Sequence, residues 1–223
     1  PAMLLDGACL VVSPLIALMK DQAFGLQQRG IQSLAVFSGM HSEEVRETYE
    51  KMRTGQYKFL FVSPERLKSE LFIDFLCDWN IRLVAVDEAH CISQWGYDFR
   101  PAYLEIAELR TYLPNVPVIA LTASATPLVQ QDIIEKLKFN HAQTFFSTFY
   151  RPNLSLSGFE VENKILKCID ILQKVKGCSL VYCRNRKRTK EVAEALNAAG
   201  LIADYYHAGL DQETRTQKQD QWI

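Results

Sequence analysis

The sequence predicts an α/β protein of two units, each built on a parallel sheet, and three observations carry that prediction. Short apolar runs of strand length alternate with longer amphipathic stretches. The runs are nearly continuous in hydrophobicity, as strands covered on both faces of a parallel sheet are. The alternation breaks at Tyr150-Arg151-Pro152-Asn153, where a turn-forming Pro-Asn pair marks a linker, and then resumes.

In chain order, the first unit reads as strands at 8–12, 33–37, 57–62, 82–86 and 117–121, with helices at 15–28, 42–53 and 127–137. The second reads as strands at 154–159, 179–182 and 202–206, with helices at 162–174 and 188–199. The expected domains are 1–147 and 148–223, and a second unit with three strands is small for this architecture. Residues 1–5 resemble the tail of a helix, and 211–223 a helix with no sheet partner after it. Both units therefore read as truncated, the first at its amino end and the second at its carboxyl end.

Of the 223 residues, 48% are hydrophobic and 23% charged, which excludes disorder as the main state and says little of function. The net charge of -1 hides a tilt: 13 Lys and Arg face 17 Asp and Glu up to Ser147, and 12 face 9 from Thr148 onward. A mildly basic second half fits a polyanion partner and fits ordinary surface composition. The six cysteines form no Cys-x-x-Cys pair and sit mostly in apolar runs such as Val181-Tyr182-Cys183. That is the pattern of buried free thiols in a reducing compartment, not of a disulfide or zinc framework. No apolar stretch has the length of a membrane span, and Pro1-Ala2-Met3-Leu4-Leu5 lacks the parts of a signal peptide. The expected location is the cytoplasm, with no membrane partner.

The strongest local signal is Leu83-Val84-Ala85-Val86-Asp87-Glu88-Ala89-His90. An apolar strand ending in adjacent carboxylates delivers both to the carboxyl edge of a parallel sheet, where α/β folds bind ligands. In a nucleotide hydrolase the first, here Asp87, holds the hydration shell of Mg²⁺, and the second, Glu88, polarises the attacking water. Taken alone, an Asp-Glu pair is more often a solvated turn. The chain continues as Cys91-Ile92-Ser93-Gln94-Trp95-Gly96-Tyr97-Asp98-Phe99-Arg100-Pro101. Trp95, Tyr97 and Phe99 offer stacking faces for bases, and Arg100 a cation for a phosphate or a base plane. The competing reading is one face of a buried strand; Gly96, Asp98, Ser93 and Gln94 favour a loop.

From Asp87 to Pro101 the sequence resembles the RecQ helicases of superfamily two: the first four residues are similar to their DEAH motif, the rest to their aromatic-rich loop. The resemblance implies two RecA-like domains and an ATP-dependent DNA helicase moving 3′ to 5′ on single strands, in repair and recombination. It implies ATP and Mg²⁺ as cofactors, single-stranded and partially duplex DNA as partners, and association with the nucleoid in a bacterium. Asp87, Glu88 and His90 take the catalytic positions, Asp87 also holding Mg²⁺ through water. Ser93, Gln94, Trp95, Tyr97, Phe99 and Arg100 take the DNA-sensing positions. Many members carry His where Tyr97 stands, so a proton-dependent role at that position does not transfer.

The run Val11-Val12-Ser13-Pro14-Leu15-Ile16-Ala17-Leu18-Met19-Lys20-Asp21-Gln22 resembles motif Ia, which places Ser13, Pro14, Lys20 and Gln22 on DNA. Val62-Ser63-Pro64-Glu65-Arg66-Leu67 resembles motif Ib and adds Pro64, Glu65 and Arg66. In both, a strand gives way to Ser-Pro and a helix offers its amino end to a phosphate. Leu121-Thr122-Ala123-Ser124-Ala125-Thr126 resembles motif III, which implies that Thr122, Ser124 and Thr126 couple ATP to DNA; Ser124 replaces the usual Thr and keeps the hydroxyl. Ser179-Leu180-Val181-Tyr182-Cys183-Arg184-Asn185 resembles motif IV, and Tyr205-Tyr206-His207-Ala208-Gly209-Leu210 the motif after it, with Arg184, Asn185 and His207 on DNA. The basic run Arg184, Arg186, Lys187, Arg188 and Lys190 meets a DNA backbone or forms a solvated helix face.

No Gly-x-x-x-x-Gly-Lys-Ser/Thr run occurs in the sequence, although the family's ATP hydrolysis needs that phosphate cradle. The resemblance places it upstream of Pro1, and an arginine finger and a zinc-binding region beyond Ile223, so these residues alone are expected to lack turnover. Two alternatives stand beside this reading: a DEAH or DEAD-box RNA helicase, and a nucleic-acid-binding module without catalysis. The paired Asp87 and Glu88 argue against the second.

Overall fold

A computed structural model describes all residues except Tyr97 and Ile223, and Gln212 in its backbone only. The chain divides into two compact units, Pro1–Phe146 and Ser147–Ile223.

The first unit is built on strands β1 (Ala8–Val12), β2 (Ser33–Val36), β3 (Phe59–Val62), β4 (Ile81–Val86) and β5 (Val118–Ala120). They form one parallel sheet in the order β2-β3-β1-β4-β5. Parallel neighbours need crossovers, supplied here by α1 (Ile16–Gln27), α2 (Ser42–Arg53), α3 (Glu70–Leu76) and α4 (Leu109–Tyr112), and α5 (Pro127–Lys136) follows the last strand. Alternate residues of β1 enter different cores, which is why its sequence is apolar without a break. Leu10 and Val12 join Val45, Tyr49 and Met52 of α2, Phe72, Phe75 and Leu76 of α3, and Val129 and Ile133 of α5. Cys9 and Val11 pack with Met19 and Ala23 of α1.

The helices follow their local signals. In α2 the buried positions Val45, Thr48, Tyr49 and Met52 recur at helical spacing, with Glu43 and Glu44 in the first turn and Lys51 and Arg53 in the last, complementing the helix dipole. The Ser69 side chain caps α3, and Thr126 with Pro127 opens α5. Tyr49 sits inside an aromatic cluster, 6.0 Å from Phe72, 5.7 Å from Phe75 and 5.1 Å from Trp79 between ring centroids. Its hydroxyl is buried with no hydrogen-bond partner among the described residues, and burial pushes its pKa up to about 12. Tyr49→Phe removes an unsatisfied polar group at constant shape, so stability is expected to rise by about 1 kcal/mol, measured as a higher urea midpoint. A lower midpoint would mean that the hydroxyl has a partner in solution.

Several expected boundaries move. β3 begins at Phe59 and not at Tyr57, and the edge strand β5, with one neighbour, shortens to three residues. The 1–5 stretch holds a 3-10 turn, Ala2–Leu4, and α3 was not foreseen. The six thiols are free, yet only Cys9 and Cys91 are buried; Cys77 and Cys178 are exposed, against the expectation of burial.

In the second unit the described helices are α6 (Lys164–Lys174), α7 (Arg186–Ala198) and α8 (Gln212–Trp222). Asn163 and Asn185 cap α6 and α7 through their side-chain oxygens. The expected parallel sheet is not formed: among the described residues 154–159, 179–182 and 202–206 carry no β-ladder. An apolar run predicts a strand's composition, whereas a strand exists only through its neighbour's hydrogen bonds. Here the backbone of Ala203 bonds the Asn197 amide side chain through both its C=O (2.7 Å) and its N–H (3.2 Å). Leu156, Leu180, Tyr182 and Ile202 remain exposed, so no burial offsets the entropy of pairing. No helix among the described residues is long and apolar enough to cross a membrane.

Candidate active site

The register places the site. Val12 is level with Val62 and with Val86, Val36 with Val62, and Ala120 with Val86. All five strands thus end flush, and the next residues, Phe37, Ser63, Ser13, Asp87 and Leu121, line one sheet edge. Backbone bonds extend the ladder by one step there: Asp87 N donates to Val12 O (2.9 Å), Ser13 N to Val62 O (3.1 Å) and Leu121 N to Val86 O (2.8 Å).

Asp87 is fixed from three sides. The Ser13 hydroxyl reaches Oδ2 at 3.4 Å, the Glu88 amide donates to Oδ1 at 2.9 Å, and the Tyr103 hydroxyl donates to the Asp87 carbonyl at 2.9 Å. Tyr103 is fully buried, and burial drives its phenol pKa far up, so it stays a donor. Glu88 adopts φ 47 and ψ 44, the left-handed region that a side chain with a Cβ enters at a cost of about 1–3 kcal/mol. The next amide, Ala89 N, is tied to Leu121 O at 2.8 Å, which holds the turn. That turn sends the chain into the 3-10 helix Ala89–Ile92 and brings Glu88 Oε2 to 3.2 Å from His90 Nδ1. The same nitrogen lies 3.0 Å from Thr122 Oγ1, which also accepts the Ser124 amide at 3.3 Å. Thr126 is committed to capping α5.

Among the described residues no three or more of His, Cys, Asp and Glu gather as a closed metal cage. Asp87 and the Ser13 hydroxyl, 3.4 Å apart, form an open, all-oxygen pair. Such a pair fits Mg²⁺, which keeps most of its waters and takes one or two carboxylates beside substrate phosphates, and Asp87 is the residue that could hold it.

The stretch from Ser93 to Arg100 is irregular in its described residues, and Tyr97 lies outside them. Trp95 is 69% exposed, Gln94 exposed and Phe99 half-buried. Gly96 is required here, because a Cβ would stand 2.9 Å from the His90 carbonyl oxygen. Arg100 donates from Nη1 to the Pro14 carbonyl (2.9 Å) and from Nε and Nη2 to Asp98 Oδ2 (3.1 and 3.0 Å). It thereby ties this loop to the segment after β1. Burial, then the Asp98 charge, pushes the Cys91 thiol up to about 11, which keeps it protonated and unreactive.

At the same edge Arg66 donates from Nε and Nη2 to the Phe37 carbonyl (3.2 and 3.0 Å) and from Nη2 to that of Met40 (3.2 Å). The Lys20 ammonium lies 4.7 Å over the Phe37 ring, and Ser38 and Ser63 share a hydroxyl contact of 3.4 Å. Pro64 is buried, Pro14 and Gln22 half-buried and Glu65 exposed. In the second unit Arg184 is exposed, Asn185 is committed to its cap, and His207 Nδ1 accepts the Gly209 amide at 3.2 Å. Lys187 and Arg188 face Glu191 at 4.0 and 3.2 Å, and Lys190 faces Glu194 at 3.9 Å, so part of the basic run is neutralised on its own helix. Sequence reasoning missed Tyr103, Asp98 as the Arg100 partner, and Asp132 with Lys136 on α5. The Asp132–Lys136 pair is a local i,i+4 signal that was passed over; nothing local marks the contacts of Tyr103 with Asp87 and of Asp132 with Ser93, which join separate elements.

The sheet edge thus carries paired carboxylates, a histidine bridge to the segment after β5 and a loop that exposes Trp95. The DEAD/DEAH box helicase family model matches residues 3–133, and the chain belongs to that family. Over its whole length it is similar to RecQ-type helicases. The ATP-dependent DNA helicase RecQ of Haemophilus influenzae is 37% identical over 98% of this chain and 36% of its own length. That of Bacillus subtilis is 39% identical over 100% of this chain and 38% of its own. A protein of Acanthamoeba polyphaga mimivirus named as an ATP-dependent RNA helicase is 37% identical, covering 100% of this chain and 41% of its own. The chain thus spans less than half the length of these relatives.

Proposed function

We propose that this chain supplies the carboxylate side of the ATP site and the nucleic-acid-responsive loop of a RecQ-type, ATP-dependent DNA helicase that moves 3′ to 5′ on single strands. The observation that carries this reading is the Asp87-Glu88 pair at the flush strand ends, joined to an exposed Trp95 loop through Arg100 and the segment after β1. ATP, held with Mg²⁺, supplies the phosphoryl group for transfer. Asp87, braced by Ser13 and Tyr103, would hold the cation through its water shell, and Glu88 would present to the attacking water the carboxylate oxygen that His90 does not engage. His90 reports the state of Glu88 to Thr122. In this reading 1–147 and 148–223 act as two motor domains in the cytoplasm, with Arg184, Asn185 and His207 on the DNA side of the second. The 223 residues alone do not turn over ATP, because their sequence holds no Gly-Lys-Ser/Thr phosphate cradle.

DNA is favoured over RNA by the names of the two bacterial relatives; the mimivirus relative supports the second reading, an RNA helicase. ATP hydrolysis by the full-length gene product decides between them: single-stranded DNA is expected to stimulate it more than RNA of the same length, and the reverse order sinks the DNA reading. Trp95→Ala is expected to weaken the DNA concentration dependence of that stimulation about tenfold, the worth of one stacked base, with nucleotide affinity unchanged. Equal loss of both would assign Trp95 a structural role.

A further inference from the structure

The fully buried Ser93 hydroxyl donates to Asp132 Oδ2 at 2.7 Å and accepts the Trp95 amide at 3.2 Å. A hydroxyl has one hydrogen, so giving it to Asp132 leaves a lone pair facing the Trp95 N–H. The carboxylate makes this bond charge-assisted, the stronger class. Lys136, one helical turn on, holds the same oxygen at 3.1 Å and reaches the Ile92 carbonyl at 3.4 Å. The Ser93 bond and the Lys136 ammonium keep the Asp132 carboxyl below its usual range, so it is ionised at neutral pH. α5 begins directly after the segment that carries Thr122. The His90–Thr122 and Ser93–Asp132 contacts therefore join neighbouring positions of the 90–93 stretch to two successive parts of the chain, the segment after β5 and α5.

We propose that Asp132 is the positioning residue of the Trp95 loop: acting through the Ser93 hydroxyl, it fixes the backbone that carries Trp95, and single-stranded nucleic acid binding depends on it although it does not touch the strand. This rests on the loop being the nucleic-acid contact. Without Asp132 the hydroxyl is free to rotate, and Trp95 loses the pin that presets its stacking face. The link also lets a shift of the Thr122 segment reach Trp95 through α5, without passing through Arg100.

The test uses the full-length protein, amide hydrogen exchange and a fluorescent oligothymidylate. Asp132→Ala and Ser93→Ala are each expected to speed exchange at the Trp95 amide and weaken oligonucleotide binding, both about tenfold, with the β1 amides unaffected. The double variant is expected to be no worse than Ser93→Ala alone, since Asp132 acts on Trp95 only through the Ser93 hydroxyl. Asp132→Asn, which keeps an acceptor oxygen, is expected to stay within about threefold of the parent. In a Trp95→Ala background, Asp132→Ala is expected to cost no further affinity. Unchanged Trp95 exchange in Asp132→Ala overturns the proposal, as does an undiminished affinity loss in the Trp95→Ala background. Should Trp95→Ala alone leave affinity intact, the nucleic-acid reading of the loop fails and the proposal falls with it, while the exchange data still show whether Asp132 pins the loop.

Discussion

Glu88→Gln in the full-length gene product is expected to lower ATP hydrolysis by about 10²–10³-fold while nucleotide affinity changes less than about threefold. Gln matches Glu in shape, so the left-handed turn and the Leu121 tie to Ala89 are retained. What disappears is the negative charge that makes the free carboxylate oxygen a strong acceptor for a water proton. The substitution also replaces the charged partner of His90 with a neutral one, so the effect belongs to the chemical step and to its report to Thr122. Single-turnover hydrolysis and titration with a fluorescent nucleotide separate the two quantities. A rate within about threefold of the parent would reduce Glu88 to a turn residue.

Phe72→Ala is expected to cost about 4 kcal/mol, the usual loss for truncating a buried phenylalanine, and to lower the Tm of the first unit by about 12 °C. Phe72 is fully buried and meets Tyr49 and Trp79 edge-on, at 6.0 and 5.7 Å between ring centroids. Both neighbours are large and held by other contacts, Trp79 by its indole N–H to the Tyr49 carbonyl at 3.3 Å, so they cannot collapse into the space. A loss against typical domain stabilities of about 5–15 kcal/mol leaves little margin. Thermal unfolding followed by near-ultraviolet circular dichroism reads it; a loss under about 1.5 kcal/mol would mean that the cluster repacks.

The sheet was legible where burial on both faces wrote a continuous apolar run, as in Ala8–Val12, and the Asp87-Glu88 pair was legible because it ends such a run. α3 was not, since Glu70–Leu76 is short and has apolar side chains on most of its circumference. The second unit shows the limit from the other direction: 179–182 has strand composition, yet pairing is a property of two segments and composition belongs to one. At the site, residue type does not say which groups a side chain already engages. Arg66 and Arg100 read as cations for DNA, and the structure turns much of their donor capacity onto the carbonyls of Phe37, Met40 and Pro14 and onto Asp98. Ser93 and Asp132 stand 39 positions apart, a contact no local pattern encodes.

The left-handed Glu88 has a bearing on how such a chain ages. Asn or Gly would sit in that conformation more comfortably than Glu does, so drift toward stability favours losing the carboxylate. On the proposed role of Glu88 in polarising the attacking water, selection for hydrolysis opposes that drift. A glutamate kept in an uncomfortable backbone is therefore a marker of continued use, and its replacement would be among the first scars of a descendant that binds nucleic acid but no longer moves along it.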